Sequence, residues 1–540
     1  MSTLDILIVC RRARWTPQIL CFLLLLSASE VEGSQERNPR TFPSIGIIQI
    51  ITNEVFDERS DGIAAPYAAA NTLHVRTRET VIRRELLFTT GDPVNSELLE
   101  QTERNLRALP FLRDARVETT PVDDNGDGRP ERVDVRVLTW DTWSLSPQLD
   151  FSTVNDHANW TIGLSEKNLF GLGKAASISR RRTLDRFLTR FDYRDHQLAG
   201  SRLTLTTSVA KLSDGNEGFF SLARPFFSIQ DRWAMTIQAG GFTRNDPLIE
   251  NGDQIGHLRH VARWSDFELA RAIHRQPRRA IRLHAAYRVR KETIGTGARD
   301  FGILETGLSA VSHRFVRLTH VNSFERPEDI NLGTQTSASL GFSTPQLGGE
   351  DGMIVFIAAS YQRGLDFGPG HFLLSRVQAT TRRRQSTLEN TLIEAKLQYL
   401  RQHVLRHSFL AKLDFRHGHN LDPEVQLRLG AESGLRGYPI RQFVGTRSLL
   451  LSSEERWFFA DDLGQLLSLG VAAFLDSGFA WPEGRPIDFG DLRTSAGVSL
   501  LMGTSRLSNR PGIRLDLGYA LNPVNNQGRW VFMFGSDMQF

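Results

Sequence analysis

Cysteine is almost absent: the 540 residues hold two, Cys10 and Cys21, both within an N-terminal segment built like an export signal. A chain cleaved after that segment has neither thiol nor disulfide, which excludes a cystine scaffold or a cysteine-based redox or zinc site. This suits an oxidising compartment without requiring one. Cys21 follows Ile19 and Leu20 instead of small residues, which argues against lipoprotein processing. Long apolar runs are missing too. The run Ile19 to Leu26 falls far short of the roughly 20 residues that a spanning helix needs. Charge of one sign is not in excess: 65 Lys and Arg against 61 Asp and Glu leave +4, and the basic residues are scattered, so no nucleic-acid partner is read. There is no G-x-S-x-G elbow, no P-loop and no zinc-protease helix, so the sequence offers no catalytic residues, no enzyme activity, no cofactor and no metal site.

What is present begins with the signal. Arg11, Arg12 and Arg14 precede the apolar run, and Ser27, Ala28, Ser29 and Gly33 follow it, the order of a secretory signal peptide over residues 1–33. The remaining length exceeds one ordinary domain, and one small domain plus one large one is expected. The mean hydropathy of −0.28 looks soluble. A membrane barrel alternates lipid-facing and lumen-facing residues, however, so its average can match a soluble protein's.

Residues 44–56 read as a strand, the Ala-rich stretch Asp57 to Asn71 as a connection, Glu79 to Phe88 as a helix closed by Gly91-Asp92-Pro93, and a second helix starts after the N-cap Asn95. Two strands, Arg113 to Thr119 and Arg132 to Leu138, flank a turn at Asp123 to Gly128. The order β-α-α-β-β and the phrase RETVIRRELLFTTGDPVNSELLEQTERNLRALPFLRDARVE resemble a POTRA domain, placed at residues 41–140. The resemblance implies a periplasmic domain that offers a strand edge and a groove to unfolded client polypeptides, which is β-augmentation.

From residue 141 to 540 the chain alternates with a period of two. Leu203, Leu205, Thr207 and Val209 share one face, Val425, Leu427 and Leu429 another, and Ile513, Leu515, Leu517 and Tyr519 oppose Arg514 and Asp516. A soluble sandwich or propeller alternates as well. The signal and the C-terminus favour a transmembrane barrel: Trp530, Phe532, Phe534, Ser536, Met538 and Phe540 share one face of a last strand, and ending on Phe540 resembles the terminal signal of bacterial outer-membrane barrels. The expectation is a mainly β protein with an antiparallel transmembrane β-barrel at 141–540, roughly 16 strands of about 9 to 11 residues each.

Gly434-Leu435-Arg436-Gly437-Tyr438 resembles the [VL]-R-G-[FY] motif in the sixth extracellular loop of the BamA/TamA superfamily of POTRA-barrel proteins, the bacterial surface antigen family. Phe474-Leu475-Asp476-Ser477-Gly478 resembles its F-x-D-x-G strand, Gly512 to Ala520 its penultimate strand, and Asn168 to Gly173 its second strand. The resemblance implies an outer-membrane location in a Gram-negative bacterium, outer-membrane lipids and unfolded clients as partners, and room for periplasmic or lipoprotein accessory partners. It also implies a loop–barrel lock in which Arg436 reaches into the lumen and pairs with Asp476, Gly434 and Gly437 permitting the bend. Lumen water is expected to screen that pair partly, so that breaking it costs about 1 to 3 kcal/mol.

Three rival motifs fail on context. Gly171 to Ala176 fits a dinucleotide pattern but runs on as a strand; His417 and His419 share a strand face without an adjacent third ligand; and Asp123, Asn125, Asp127, Gly128 and Asp134 fit half a calcium loop flanked by strands. The resemblance to the BamA/TamA superfamily implies insertion or translocation of client proteins as the favoured function. Two-partner polypeptide secretion, whose transporters usually carry two POTRA domains and a plug helix, is one alternative, and a passive channel or structural surface antigen is the other. The mature protein should fractionate with outer membranes and migrate faster on gels before boiling than after; recovery in the cytosol with the signal intact would overturn the reading.

Overall fold

The computed structural model describes residues 43–58, 64–123, 130–154, 157–250, 253–404, 406–504, 506–507, 512–524 and 530–535. The signal at 1–33, the terminal Phe540 and positions 124–129 of the calcium-like turn lie outside them. Ser44–Phe540 forms one compact unit.

Its N-terminal part runs β1 (Ser44–Asn53), α1 (Ala64–Leu73), α2 (Glu79–Glu85), α3 (Ser96–Arg107), β2 (Leu112–Val122) and β3 (Arg132–Asp141). The sheet order is β1-β3-β2, with β1 parallel and β2 antiparallel to β3. The helices lay Val81, Ile82, Leu99 and Leu106 against Val135 and Val137, which all but seals these side chains from water. Asn95 caps α3 by accepting the Glu97 and Leu98 amides at 3.0 and 3.4 Å. Asp134 accepts the Ile47 amide at 2.8 Å, tying β3 to β1.

α1 corrects the sequence reading, which treats Asp57 to Asn71 as a connection. The segment AAPYAAANTL is rich in alanine, the strongest helix former, and proline is tolerated in the first turn. It has no strong apolar face, and the periodicity test therefore passes over it. The helix is held from outside: Tyr67 stacks on Phe56 at 5.3 Å and donates to the Gly464 carbonyl at 2.5 Å. Beside it, Asp57 and Gln465 exchange two hydrogen bonds, each of 2.8 Å.

The barrel closes with 20 strands among the described residues, from Leu145–Val154 to Trp530–Gly535, whose mutual register passes through Ser152 and Met533. About 16 were expected from membrane-crossing length. The larger number fits because several hairpins turn on two residues, as between Leu212 and Gly215, Gln276 and Arg279, or Arg384 and Thr387. Large apolar residues such as Val209, Phe220, Phe267, Leu304 and Val498 are exposed on the outer face, while alternating polar residues point inward. Ile513 and Leu517 face out, and Arg514 and Asp516 face in. Leu427–Leu429 is a second correction: it pairs with Phe443–Gly445 inside the barrel instead of joining the wall.

Two segments enter the lumen. One is the loop 420–446, from the end opposite the N-terminal elements. The other is the connection 313–334, whose hairpin Phe315–Leu318 with Glu328–Asn331 carries its tip inward. There Phe324 packs on Phe458, Ala472 and Leu501, and Val321 on Phe372, Leu400 and Leu410. The base of this hairpin meets the N-terminal elements: Arg107 donates to both Asp329 oxygens at 2.7 and 2.8 Å, and Arg317 to both oxygens of Asp114 at 3.0 Å. The motif segment Asn168 to Gly173 makes a similar contact. It ends one barrel strand and turns, and its Gly171 carbonyl accepts the Arg78 amide at 3.0 Å. With φ at +72°, a Cβ on Gly171 would stand 2.3 Å from the Arg76 carbonyl oxygen, so glycine is required for the contact.

Where β3 ends, Asp141 is fully buried, accepts the Thr77 amide at 2.7 Å, and has its pKa raised to about 7 by desolvation. A carboxyl whose folded pKa lies above its unfolded value stabilises below the unfolded pKa, and that contribution is lost as pH rises through the folded one. Hydrogen exchange in 64–78 should therefore quicken between pH 5 and 8, and Asp141→Asn should flatten the profile. His74, whose pKa burial lowers, stands 3.8 Å from Asp141, so the difference between the two proteins reports Asp141 together with its contact to His74. Parallel profiles in the two proteins would refute this.

Candidate functional site

The loop between the strands His407–His419 and Arg447–Leu463 enters the lumen as the short hairpin Leu427–Leu429 with Phe443–Gly445, and a 3-10 turn at Ala431–Ser433 delivers the motif. Gly434 ends that turn at φ +104°, a conformation that side chains disfavour. Leu435 and Tyr438 then anchor the tip in a lumenal apolar cluster with Leu429, Phe443, Leu450 and Ala480. The Tyr438 hydroxyl lies 2.7 Å from the Asn522 side-chain oxygen and 3.0 Å from the Thr494 carbonyl. A Cβ on Gly437 would sit 2.4 Å from the Ser495 Cβ, and one on Gly518 would sit 2.7 Å from the Arg436 carbonyl oxygen. A Cβ on Gly478 would reach the Leu429 side chain at 2.9 Å. Two wall glycines, Gly478 and Gly518, therefore leave the wall bare where the tip lies against it, and Gly437 lets the tip come close.

Arg436, set between Gly434 and Gly437, meets Asp476 with a two-pronged contact, Nε to Oδ2 and Nη2 to Oδ1, both 2.8 Å. Its own amide also points at Oδ2, at 3.3 Å. Its guanidinium rests 3.6 Å from the centre of the Phe474 ring. The inward face of Leu467–Trp481 carries Phe474, Asp476 and Gly478 together, as the period of two requires.

The structure adds Glu454, Arg456 and Ser499, which the sequence reading did not single out, and joins them to Arg514 and Asp516 of the penultimate strand. Arg436 Nη1 donates to Glu454 at 2.7 Å. Glu454 also accepts from Arg514 at 2.8 and 2.7 Å and from Arg456 at 2.6 Å. Arg514 reaches Asp516 and Ser499, each at 2.7 Å, and Arg456 donates to the Val321 carbonyl of the inward hairpin. Three arginines thus meet three carboxylates, and the charges cancel. Glu454 and Arg456 are two residues apart, as are Arg514 and Asp516, which places each pair on one strand face. That spacing was the available signal, but it does not tell which strands face each other.

The expected screening by lumen water is corrected by burial: Asp476 is 0 % exposed, Glu454 1 % and Arg436 8 %. Of the rival sites, His417 and His419 end one strand, and no group of three or more potential metal ligands occurs among the described residues.

Removing one partner of a buried ion pair leaves an uncompensated charge and costs about 3–5 kcal/mol. Arg436→Ala should reach that range, since it orphans Asp476. Asp476→Ala should cost less, because Arg436 keeps Glu454, and the double variant should cost less than the sum. Glu454→Gln should impair the folded, heat-modifiable fraction most, as it leaves three arginines around a neutral amide. Strictly additive urea midpoints for the Arg436 and Asp476 variants would show that the two do not interact.

No protein-family model matches the chain. Among curated proteins, the outer membrane protein assembly factor BamA of Neisseria meningitidis serogroup B is 26% identical over 118 residues, 21% of this chain and 14% of that protein. The chain therefore matches about a seventh of that relative's length. Among solved structures, CdiB from Acinetobacter baumannii aligns at 14% identity and a TM-score of 0.45, over 92% of this chain and 73% of that one. BamA from Haemophilus ducreyi lacking POTRA domains 1–3 aligns at 10% identity and a TM-score of 0.40, over 91% and 84%. The sequence match to BamA supports the resemblance of this chain to the BamA/TamA-type superfamily of outer-membrane barrel proteins.

Proposed function

We propose that this chain is a non-enzymatic outer-membrane barrel that inserts or translocates client proteins, with a POTRA domain at 41–140 on the periplasmic side. What carries the reading is the Gly434 to Tyr438 tip, drawn into the lumen through Arg436 and Asp476 in the manner of the superfamily's loop–barrel lock. In such a barrel the lock would hold the wall around Asp476 and Arg514 rigid while the first and last strands, which meet through Ser152 and Met533, offer backbone groups to a client strand. Burial of the client in lipid supplies the driving force, so no cofactor is needed.

The passive-channel reading is disfavoured by the two segments that enter the lumen. The loop 420–446 enters from one end and the connection 313–334 from the other, with Phe324, Val321 and the Arg456 contact occupying the interior.

Proteoliposomes should fold a urea-denatured client barrel several-fold faster than empty liposomes while showing little conductance in planar bilayers. Replacing 319–327 with a Gly-Ser linker should raise conductance. Porin-like conductance of the unaltered protein, without faster client folding, would overturn the proposal in favour of a passive channel.

A further inference from the structure

We propose that the outer wall carries a binding site for a phosphorylated glycolipid of the outer leaflet, on the face formed by strands Thr204–Leu212 to Arg279–Ile294. This rests on the outer-membrane reading above. It starts from an anomaly of register. Arg263 and Lys291 are direct cross-strand partners, both exposed and both on the outward face of their strands, as the exposed Phe267 and Tyr287 of the same parity establish. Like charges placed directly opposite one another repel. Among the described residues neither takes part in an ion pair, including with Asp300, the next residue in the row beyond Lys291. Below them the outward face is apolar, with Ile237, Phe267, Leu283, Tyr287 and Leu304 exposed. The two cations therefore stand where the hydrocarbon belt ends, on the side of the barrel from which the loop 420–446 enters.

The row continues in the other direction through Gly241 and Gly218, which are register partners. A Cβ added at Gly218 meets nothing within 4 Å. Two adjacent lipid-facing positions without side chains leave a groove of about 420 Å³, lined by Asn216, Glu217, Gly218, Gly241, Thr243 and Arg263, with the Glu217 carboxylate held by Arg190 at 3.1 Å. Lys211, the cross-strand partner of Asn216, stands at its far edge on the same outward parity as Val209. The site thus has a floor without side chains, an amide and a hydroxyl, and cations on both sides.

A phosphate monoester fits these features. Two negative charges between Arg263 and Lys291 would turn their repulsion into attraction, with two-pronged contact from the guanidinium and a point charge from the ammonium. Acyl chains would run down the apolar wall beneath, and the sugar would lie over the glycines. A phospholipid headgroup offers a single diester charge and no sugar for the groove, so the phosphorylated glycolipid is the better match.

The test uses the full chain in phosphatidylcholine vesicles doped with bis-phosphorylated lipid A, with its dephosphorylated form, or with phosphatidylglycerol, and measures lipid retained after detergent extraction. The unaltered protein should retain lipid A in preference to both others. Arg263→Ala with Lys291→Ala should retain about tenfold less, the order expected for loss of a charge-assisted contact. Gly218→Leu, which fills the groove and keeps every charge, should also lower retention, and Arg271→Ala at the opposite rim should not. Equal retention by the double variant, or equal retention of phosphatidylglycerol, would overturn the proposal. Failure of the unaltered protein to enter any vesicle in its heat-modifiable form would instead overturn the outer-membrane reading.

Discussion

Glu454 is the carboxylate on which the lumen depends. Three guanidinium groups converge on its two oxygens, and each belongs to a different part of the chain: Arg436 to the inward loop, Arg456 to the same strand, Arg514 to the penultimate strand. None of these charges could be buried alone, because the desolvation penalty of each is repaid only by the others. The wall and the loop are therefore specified together. Interdigitated apolar side chains such as Leu435 and Tyr438 supply bulk stabilisation, but the charges decide which arrangement satisfies every donor and acceptor.

The same network extends toward the N-terminal elements. Arg456 holds the Val321 carbonyl of the inward hairpin, and the base of that hairpin is held by Arg107 through Asp329 and by Asp114 through Arg317. A chain of hydrogen bonds thus runs from α3 through the connection 313–334 to Glu454 and on to Arg436. Each link is short-range, yet the path joins the two ends of the barrel through its interior.

Much of this was legible in the sequence, and the failures follow from what local pattern can carry. The pairing of Arg436 with Asp476 was implied by the resemblance of Gly434 to Tyr438 and of Phe474 to Gly478 to the superfamily's motifs, and the flanking glycines and the alternation are compatible with it. Glu454 was not: in SSEERWFFA, alternation separates Glu454 from Glu455 without telling which faces inward. The hairpin at 313–334 was silent for a related reason, since an apolar residue such as Phe324 inside a polar segment has no periodicity until its partners Phe458 and Leu501 are known. Leu427 and Leu429 misled in the opposite direction, because a two-stranded ribbon within the lumen alternates just as a wall strand does. The strand number depended on how tightly the hairpins turn, which mean strand length does not reveal.

The inward hairpin also constrains how the molecule is made. Its tip rests on Phe458, Ala472 and Leu501, which are synthesised well over a hundred residues later, and the seam that completes the cylinder joins Ser152 to Met533 across most of the chain. Contacts so distant in sequence are slow to form, because ordering the intervening chain precedes any reward. The seam and the tip of the inward hairpin are therefore the contacts whose formation asks most ordering of the chain.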